Sequence, residues 1–250
     1  MKKLHWLTLI LCILGINEGY GQYDPGATMM IAQNNMLYNN TIQSFVNQNI
    51  INDLAYANTK KKPSGNTAGK VGLPPNASVF RIVPDGQTSI EVKQTIVDNL
   101  KKKNPISGQN LEKALNQYSP FPAYIKLLNS LGLDVQHNYA DAFTAYILGM
   151  WRIANGQSAN PSTAMIQAVR RQVAQTIRPS AWNNRQKQVA AEYMIYELIF
   201  ANEPYEGSRK AGDKRQMKLD SDAVQQRFLS SNNMDLRSMV VTDQGLTKKR

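Results

Sequence analysis

Cysteine is nearly absent from this chain, which has a single one, Cys12, among 250 residues. Cys12 lies in an N-terminal stretch with the features of a signal peptide, so the mature protein is expected to have none. This excludes disulfide bonds, thiolate nucleophiles and cysteine-rich metal sites. A lipid on Cys12 is not expected, because Leu11 stands where lipid attachment prefers a small residue.

Residues 1–21 have the composition of a secretory signal peptide. A short basic start precedes an apolar stretch from Leu4 to Ile16, which is shorter than the roughly 20 residues that a membrane-spanning helix needs. Small residues at Gly19 and Gly21 suit a cleavage site, so Gln22 is the predicted mature N-terminus. We therefore expect a secreted or periplasmic protein with no transmembrane segment after signal removal.

Histidine is also scarce, since only His137 remains once His5 leaves with the signal peptide. Asp134 or Asp141 could orient it as an acid–base pair, and the alternative is a surface or capping histidine. A Ser–His–Asp mechanism would need a nucleophile motif such as G-x-S-x-G, which the sequence lacks. The sequence also lacks H-E-x-x-H and the glycine-rich phosphate loops. We expect no metal and no cofactor.

Paired carboxylates are the remaining route to catalysis, because two acids can hydrolyse a glycan without a metal. The candidates are Glu192 and Glu197 in an apolar helix, and Glu203 after it. Five residues turn Glu197 about 140° from Glu192 around a helix, so these two do not share a face. Glu203 could meet either one across a cleft. In the alternative interpretation they form structural ion pairs with arginines of the two preceding helices, such as Arg152 and Arg170.

Positive charge is in excess, with 29 Lys and Arg against 18 Asp and Glu in the whole chain. Such a protein is attracted to anionic surfaces, so we expect an anionic envelope polymer or a protein as partner. Four arginines around a tryptophan form a candidate polyanion site, the alternative being a solvated face. These residues are Arg170, Arg171, Arg178, Trp182 and Arg185.

The composition divides the chain beyond the signal peptide into three parts. An Asn- and Gln-rich segment, 22–57, carries apolar residues at helical spacing. The stretch 58–76 is rich in Pro, Gly and Lys and is predicted to be a flexible linker. Residues 77–247 are predicted to form a mainly α-helical domain, orthogonal or bundle-like, with one short strand near 78–83.

The most apolar part of this domain is the run from Ala142 to Trp151. It is too short to cross a membrane, and its apolar residues surround the helix predicted over 139–155, which is typical of a core helix. The alternative is an aromatic ligand pocket around Tyr146 and Trp151. The remaining helices are predicted over 88–102, 109–118, 123–131, 160–178, 180–204 and 213–230.

Several short motifs carry a resemblance to a known group of proteins. They are the helix ending in Trp151, "AVRRQV", "RQKQVAAEYMIYEL" and the terminal "MDLRSMVVTDQGL". Over about 110–247 the chain resembles a family of uncharacterised secreted bacterial helical proteins. The resemblance implies a helical domain and export, and it assigns no catalytic residue.

Together these features predict an exported, non-enzymatic binding or structural protein of the bacterial cell envelope. The alternative is a carboxylate-dependent hydrolase of cell-wall or other glycans. A closed core with a basic surface favours the first, and a cleft with two facing carboxylates favours the second.

Overall fold

The computed structural model describes residues 74–118 and 120–249. The predicted signal peptide 1–21, the helical segment 22–57 and most of the linker 58–76 lie outside the described residues. The predicted domain 77–247 lies almost wholly within them.

The described part is mainly α-helical, which confirms the predicted fold class. It contains seven α-helices, three short 3-10 turns and one two-stranded antiparallel sheet. The helices are α1 (Gly86–Lys103), α2 (Pro105–Tyr118), α3 (Pro120–Ser130), α4 (Tyr139–Ala154), α5 (Thr163–Thr176), α6 (Asn184–Ala211) and α7 (Lys214–Asn232). The strands are β1 (Met239–Thr242) and β2 (Gly245–Lys248). None of these helices has the length and apolar character that a membrane span requires.

The strand predicted near 78–83 is wrong. Ser78–Phe80 forms a 3-10 turn, and Arg81 makes only an isolated bridge. The alternating pattern that suggested a strand has another cause, since Phe80 and Ile82 are both buried in the core. Among the described residues, no strand lies beside this segment, so it cannot form a β-ladder.

Helix α4 is the centre of the core, as its apolar run predicted. Phe143, Ile147 and Met150 are fully buried, and α4 packs against α5, α6 and α7. The side chain of Asn138 starts the helix by accepting hydrogen bonds from the next backbone N–H groups. Gly149 lets α6 approach closely, because a Cβ there would lie 2.3 Å from Leu198 Cδ1.

Helix α6 runs seven residues past its predicted end at residue 204. A capping box at Asn183 and Gln186 begins it, and Gly212 ends it in the left-handed conformation. Proline in a helix interior removes a hydrogen bond, but Pro204 and the following Tyr205 are both buried. Burial of this turn offsets the missing bond and carries the helix beyond the proline.

The C-terminal hairpin of β1 and β2 has no counterpart among the predicted elements. Its β2 edge is held by the buried side chain of Gln172 on α5, which donates to Leu246 O at 3.0 Å and accepts from Leu246 N at 2.8 Å. On the β1 side, Trp151 Nε1 donates to Met239 O at 3.0 Å. Side chains of two core helices thus supply the partners that a third strand would give.

Candidate binding cleft

A cleft of about 300 Å³ opens between α3, α4 and α6 and the loop that follows α4. We call it the Arg152 cleft, after the cation at its polar end. Its walls are mainly aliphatic and come from helices that share the central core. The apolar lining residues include Leu127, Leu128, Leu131, Leu133, Leu148, Ile166 and Leu198.

Helix packing explains why this space stays open. Helix α3 begins at two prolines in its first turn, a position that tolerates proline, and presents Leu128 to the core. Leu127, one position earlier, is 48% exposed and lies at the cleft mouth. Two of the α4 residues that line the cleft, Ala145 and Gly149, are small. Apolar surface therefore faces the opening from both sides.

The polar end is a network centred on Arg152, whose side chain is only 9% exposed. Arg152 Nη1 donates to Glu206 Oε1 at 2.8 Å, and Nη2 donates to Asn202 Oδ1. Asn202 Nδ2 in turn donates to the Tyr124 hydroxyl. The second Glu206 oxygen, Oε2, accepts from Arg209 Nε at 2.8 Å. The guanidinium is thus fixed by side chains of α6.

The electrostatics of this network keep Glu206 ionised. Burial alone raises the pKa of Glu206, but the hydrogen bonds from Arg152 and Arg209 outweigh it and hold the pKa below the ordinary value. Burial raises the pKa of Tyr124 well above its usual range, and the nearby carboxylate of Glu203 raises it further. Tyr124 therefore remains a neutral hydroxyl.

The candidate catalytic carboxylates are not brought together. Glu197 is buried and accepts from Arg227 Nη1 at 2.9 Å. Glu192 accepts from Ser89 Oγ at 2.6 Å and from Gln188 Nε2 at 2.8 Å. Burial raises the pKa of Glu192, and these two hydrogen bonds oppose the rise. Glu192 borders a separate space of only about 30 Å³, which is room for roughly one water molecule.

The ion-pair partners expected for these carboxylates are also different. The arginine that holds Glu197 is Arg227 from α7, not one from the two helices that precede α6. Arg152 instead pairs with Glu206, and Arg170 with Asp141. The two residues of each pair lie far apart along the chain, so spacing in the sequence could not predict these pairs. Arg171 is exposed, and so is Glu203.

His137 does pair with Asp134, with 2.8 Å between Nδ1 and Oδ1. Both side chains are more than half exposed, and Asp141, the other candidate, is buried against Arg170. The pair therefore lies on an open surface. No group of three or more His, Cys, Asp or Glu in the described ranges is arranged to hold a metal.

The predicted polyanion site is partly neutralised by acidic neighbours. Arg170 bonds to Asp141, and Arg185 bonds to Glu91. Trp182 is half-buried, with its ring 5.3 Å from that of Tyr139, so it packs instead of presenting an open stacking face. Arg171 and Arg178 remain exposed, although Arg178 also donates to the Ile177 carbonyl at 2.9 Å.

Sequence reasoning considered Arg152 only as an ion-pair partner of Glu192 or Glu197, and it did not predict the polar end. Arg152, Asn202 and Glu206 lie 50 or more positions apart across the α4–α6 interface, so no local motif joins them. One signal was present, because Arg152 is a lone cation at the end of a long apolar run. A buried charge needs a partner, and that partner had to come from elsewhere in the chain.

No protein-family model, no curated protein and no solved structure matches the chain.

Proposed function

We propose that this protein is an exported, non-enzymatic binding protein of the bacterial cell envelope, and that the Arg152 cleft is its ligand site. The observation that carries the proposal is the cleft itself, a concave, mainly aliphatic space with a few polar groups at one end. Ligand sites in proteins have this composition, and about 300 Å³ lies at the small end of their size range. The ligand is a small molecule with an apolar part.

The charge state of the cleft supports binding over hydrolysis. A glycosidase needs one carboxyl that is protonated near the working pH and a second one facing it. Glu206 is the carboxylate that lines the cleft, and two arginines hold its pKa below the ordinary value. Glu197 is engaged with Arg227 in the core. A glycan hydrolase remains the competing proposal, and its test is release of sugar from cell-wall glycans.

Export and an anionic partner belong to the same proposal. Export is supported by the basic start and apolar stretch of residues 1–21. The formal net charge of +11 for the whole chain becomes +10 when Lys2, Lys3 and Glu18 leave with residues 1–21. This charge favours association with anionic envelope polymers. Arg171 and Arg178 are exposed cations that such a polymer can reach.

The proposal is tested with N-phenyl-1-naphthylamine, a small neutral fluorophore that brightens in apolar surroundings. We expect saturable binding of one fluorophore per chain. Ser158→Trp places a large ring at the lining of the cleft and should abolish binding. Ala159→Trp is the matched control, because Ala159 is exposed in the same loop and does not line the cleft.

Equal loss of binding in both variants, or no binding to the parent protein, would refute the cleft as the ligand site. Unchanged melting temperatures in both variants establish that the ring, and not unfolding, blocks the fluorophore. Sugar release that disappears in Glu192→Gln, with fluorophore binding absent, would favour the hydrolase instead.

A further inference from the structure

The walls of the Arg152 cleft are aliphatic almost throughout. Leucines, isoleucine, alanine and proline line it, and its one aromatic residue is Tyr124, whose hydroxyl is tied to Asn202. Planar aromatic ligands gain additional energy from stacking on aromatic side chains. This cleft offers little such surface, so the fluorophore is held there by dispersion contacts alone. A flexible aliphatic chain needs only close dispersion contacts. The walls therefore favour an alkyl chain.

The polar end offers donors and few acceptors. A guanidinium has five N–H groups, and the short hydrogen bonds of Arg152 use one on Nη1 and one on Nη2. Two further contacts of Nη1, to the carbonyls of Gln157 and Ser158, are long at 3.5 Å. Within the described part of the chain, Arg152 Nε has no hydrogen-bond acceptor. Both oxygens of Glu206 are already occupied by arginines.

Two further polar side chains line the same cleft. Ser158 and Asn160 are exposed in the loop after α4, and their side chains make no hydrogen bond to other described residues. They can donate to a group that enters the cleft. Arg152 and Arg209 carry two positive charges, and Glu206 with the nearby Glu203 carries two negative ones, so the charges around this end balance. The unused donors, and not a net charge, set its preference. An oxygen acceptor, neutral or anionic, fits this end, and a cation does not.

We infer that the ligand of the Arg152 cleft is a molecule with a single aliphatic chain that ends in an oxygen acceptor, as a carboxylate or an acyl carbonyl does. The chain lies along the leucine walls, and the acceptor oxygen meets Arg152, Ser158 and Asn160. This inference rests on the proposed function, because it assumes that the cleft is a ligand site. Free fatty acids and the acyl groups of larger lipids share this chemistry.

The experiment is competition for bound N-phenyl-1-naphthylamine by three ligands of equal chain length, each below its micellar concentration or its solubility limit. Octanoate carries an anionic acceptor, methyl octanoate a neutral acceptor, and octyltrimethylammonium a cation without an acceptor. We expect octanoate and methyl octanoate to displace the fluorophore at concentrations at least tenfold lower than the cation. A further advantage of octanoate indicates free fatty acids, and equal potency of the two indicates acyl groups of larger lipids.

Asn160→Asp replaces a donor with a carboxylate at the polar end, and Ala159→Asp adds the same charge beside it as the matched control. We expect Asn160→Asp to weaken octanoate binding about tenfold, as loss of a charge-assisted hydrogen bond does. Ala159→Asp lies outside the lining of the cleft and should have little effect on the binding of either octanoate or the fluorophore.

Two results would overturn the inference while leaving the proposed function intact. One is displacement by the cation as effective as displacement by octanoate. The other is equal weakening of octanoate binding by the two aspartate variants. That result would show that the change in overall charge, and not the loss of a donor in the cleft, weakens binding. Failure of the fluorophore and of all three ligands to bind would refute the inference and the proposed function together.

Discussion

The buried ion pair between Glu197 and Arg227 offers the sharpest test of how the core is built. Each side chain is 6% exposed, and their closest N–O distance is 2.9 Å. Arg227 Nη2 also donates to the Tyr146 hydroxyl at 3.3 Å. Burial in itself lowers the pKa of Arg227, but Glu197 and Tyr146 hold it above the ordinary value. The pair joins α6 to α7, and the contact of Arg227 with Tyr146 ties it to the central helix α4.

The perturbation is Glu197→Gln, which keeps the shape of the side chain and removes its charge. Breaking a buried ion pair by changing one partner typically costs about 3–5 kcal/mol, because the other charge stays buried and uncompensated. A glutamine oxygen can still accept from Arg227, so the lower end of about 3 kcal/mol is expected. In a domain of this size that corresponds to a melting temperature lower by roughly 6–12 °C.

The matched control is Glu192→Gln on the same helix. Glu192 Oε1 accepts from Ser89 and Gln188, and a glutamine oxygen can accept from both, so the change in unfolding free energy should stay within about 1 kcal/mol at pH 7.

Burial raises the folded-state pKa of Glu192 above its ordinary value of 4.5. Because folding raises its pKa, Glu192 contributes its full stabilisation below pH 4.5. This contribution is lost as the pH rises through the folded-state pKa. The parent should therefore lose stability relative to Glu192→Gln as the pH rises through this range.

The measurement is urea unfolding of the parent and both variants, with the double variant Glu197→Leu/Arg227→Met as a third comparison. Replacing both charges should recover most of the loss, because no uncompensated charge then remains. If Glu197→Gln is as stable as the parent, the ion pair does not hold α7 to the core. If the double variant is no better than the single one, the loss comes from packing and not from the unpaired charge.

Three further predictions concern the cleft, the hairpin and export. Gly149→Ala should push a leucine of α6 into the cleft and weaken fluorophore binding several-fold, whereas Gly207→Ala, with no atom within 4 Å of the new Cβ, should leave binding unchanged. Gln172→Ala should lower the unfolding free energy by about 1–3 kcal/mol by leaving buried hairpin groups unpaired, and faster amide exchange in β2 should accompany it, while the exposed Gln175→Ala serves as control. Mass analysis of secreted protein should find Gln22 at the N-terminus, and retention of residues 1–21 would contradict export with cleavage.

The helical elements could be predicted because their signals are local. The apolar run of α4 repeats at helical spacing, and Asn138 and Ser162 precede α4 and α5 as N-caps. The end of α6 was misjudged, since the rule that proline stops a helix is local, whereas the burial that overrides it at Pro204 is tertiary. The hairpin was missed for the same reason, because its edge partner is Gln172, far away in the sequence.

The candidate site was harder to predict than the fold. The cleft exists because α3, α4 and α6 meet at one place, and its polar end joins residues from distant helices. Sequence reasoning could ask which carboxylate pairs with which arginine, but it matched partners by their order in the chain. The structure instead pairs Glu197 with Arg227 and Glu206 with Arg152. Side-chain geometry across helix interfaces, which no spacing rule encodes, decides these pairings.

The claim that the Arg152 cleft is a ligand site is tested most directly by methyl NMR of the leucines and isoleucines during titration with octanoate. We expect saturable shifts concentrated on the lining methyl groups of Leu128, Leu148, Ile166 and Leu198. Methyl groups that are buried elsewhere and do not line the cleft, such as those of Leu111, should not move. Shifts spread evenly over the core, or no shifts up to the solubility limit of octanoate, would contradict it.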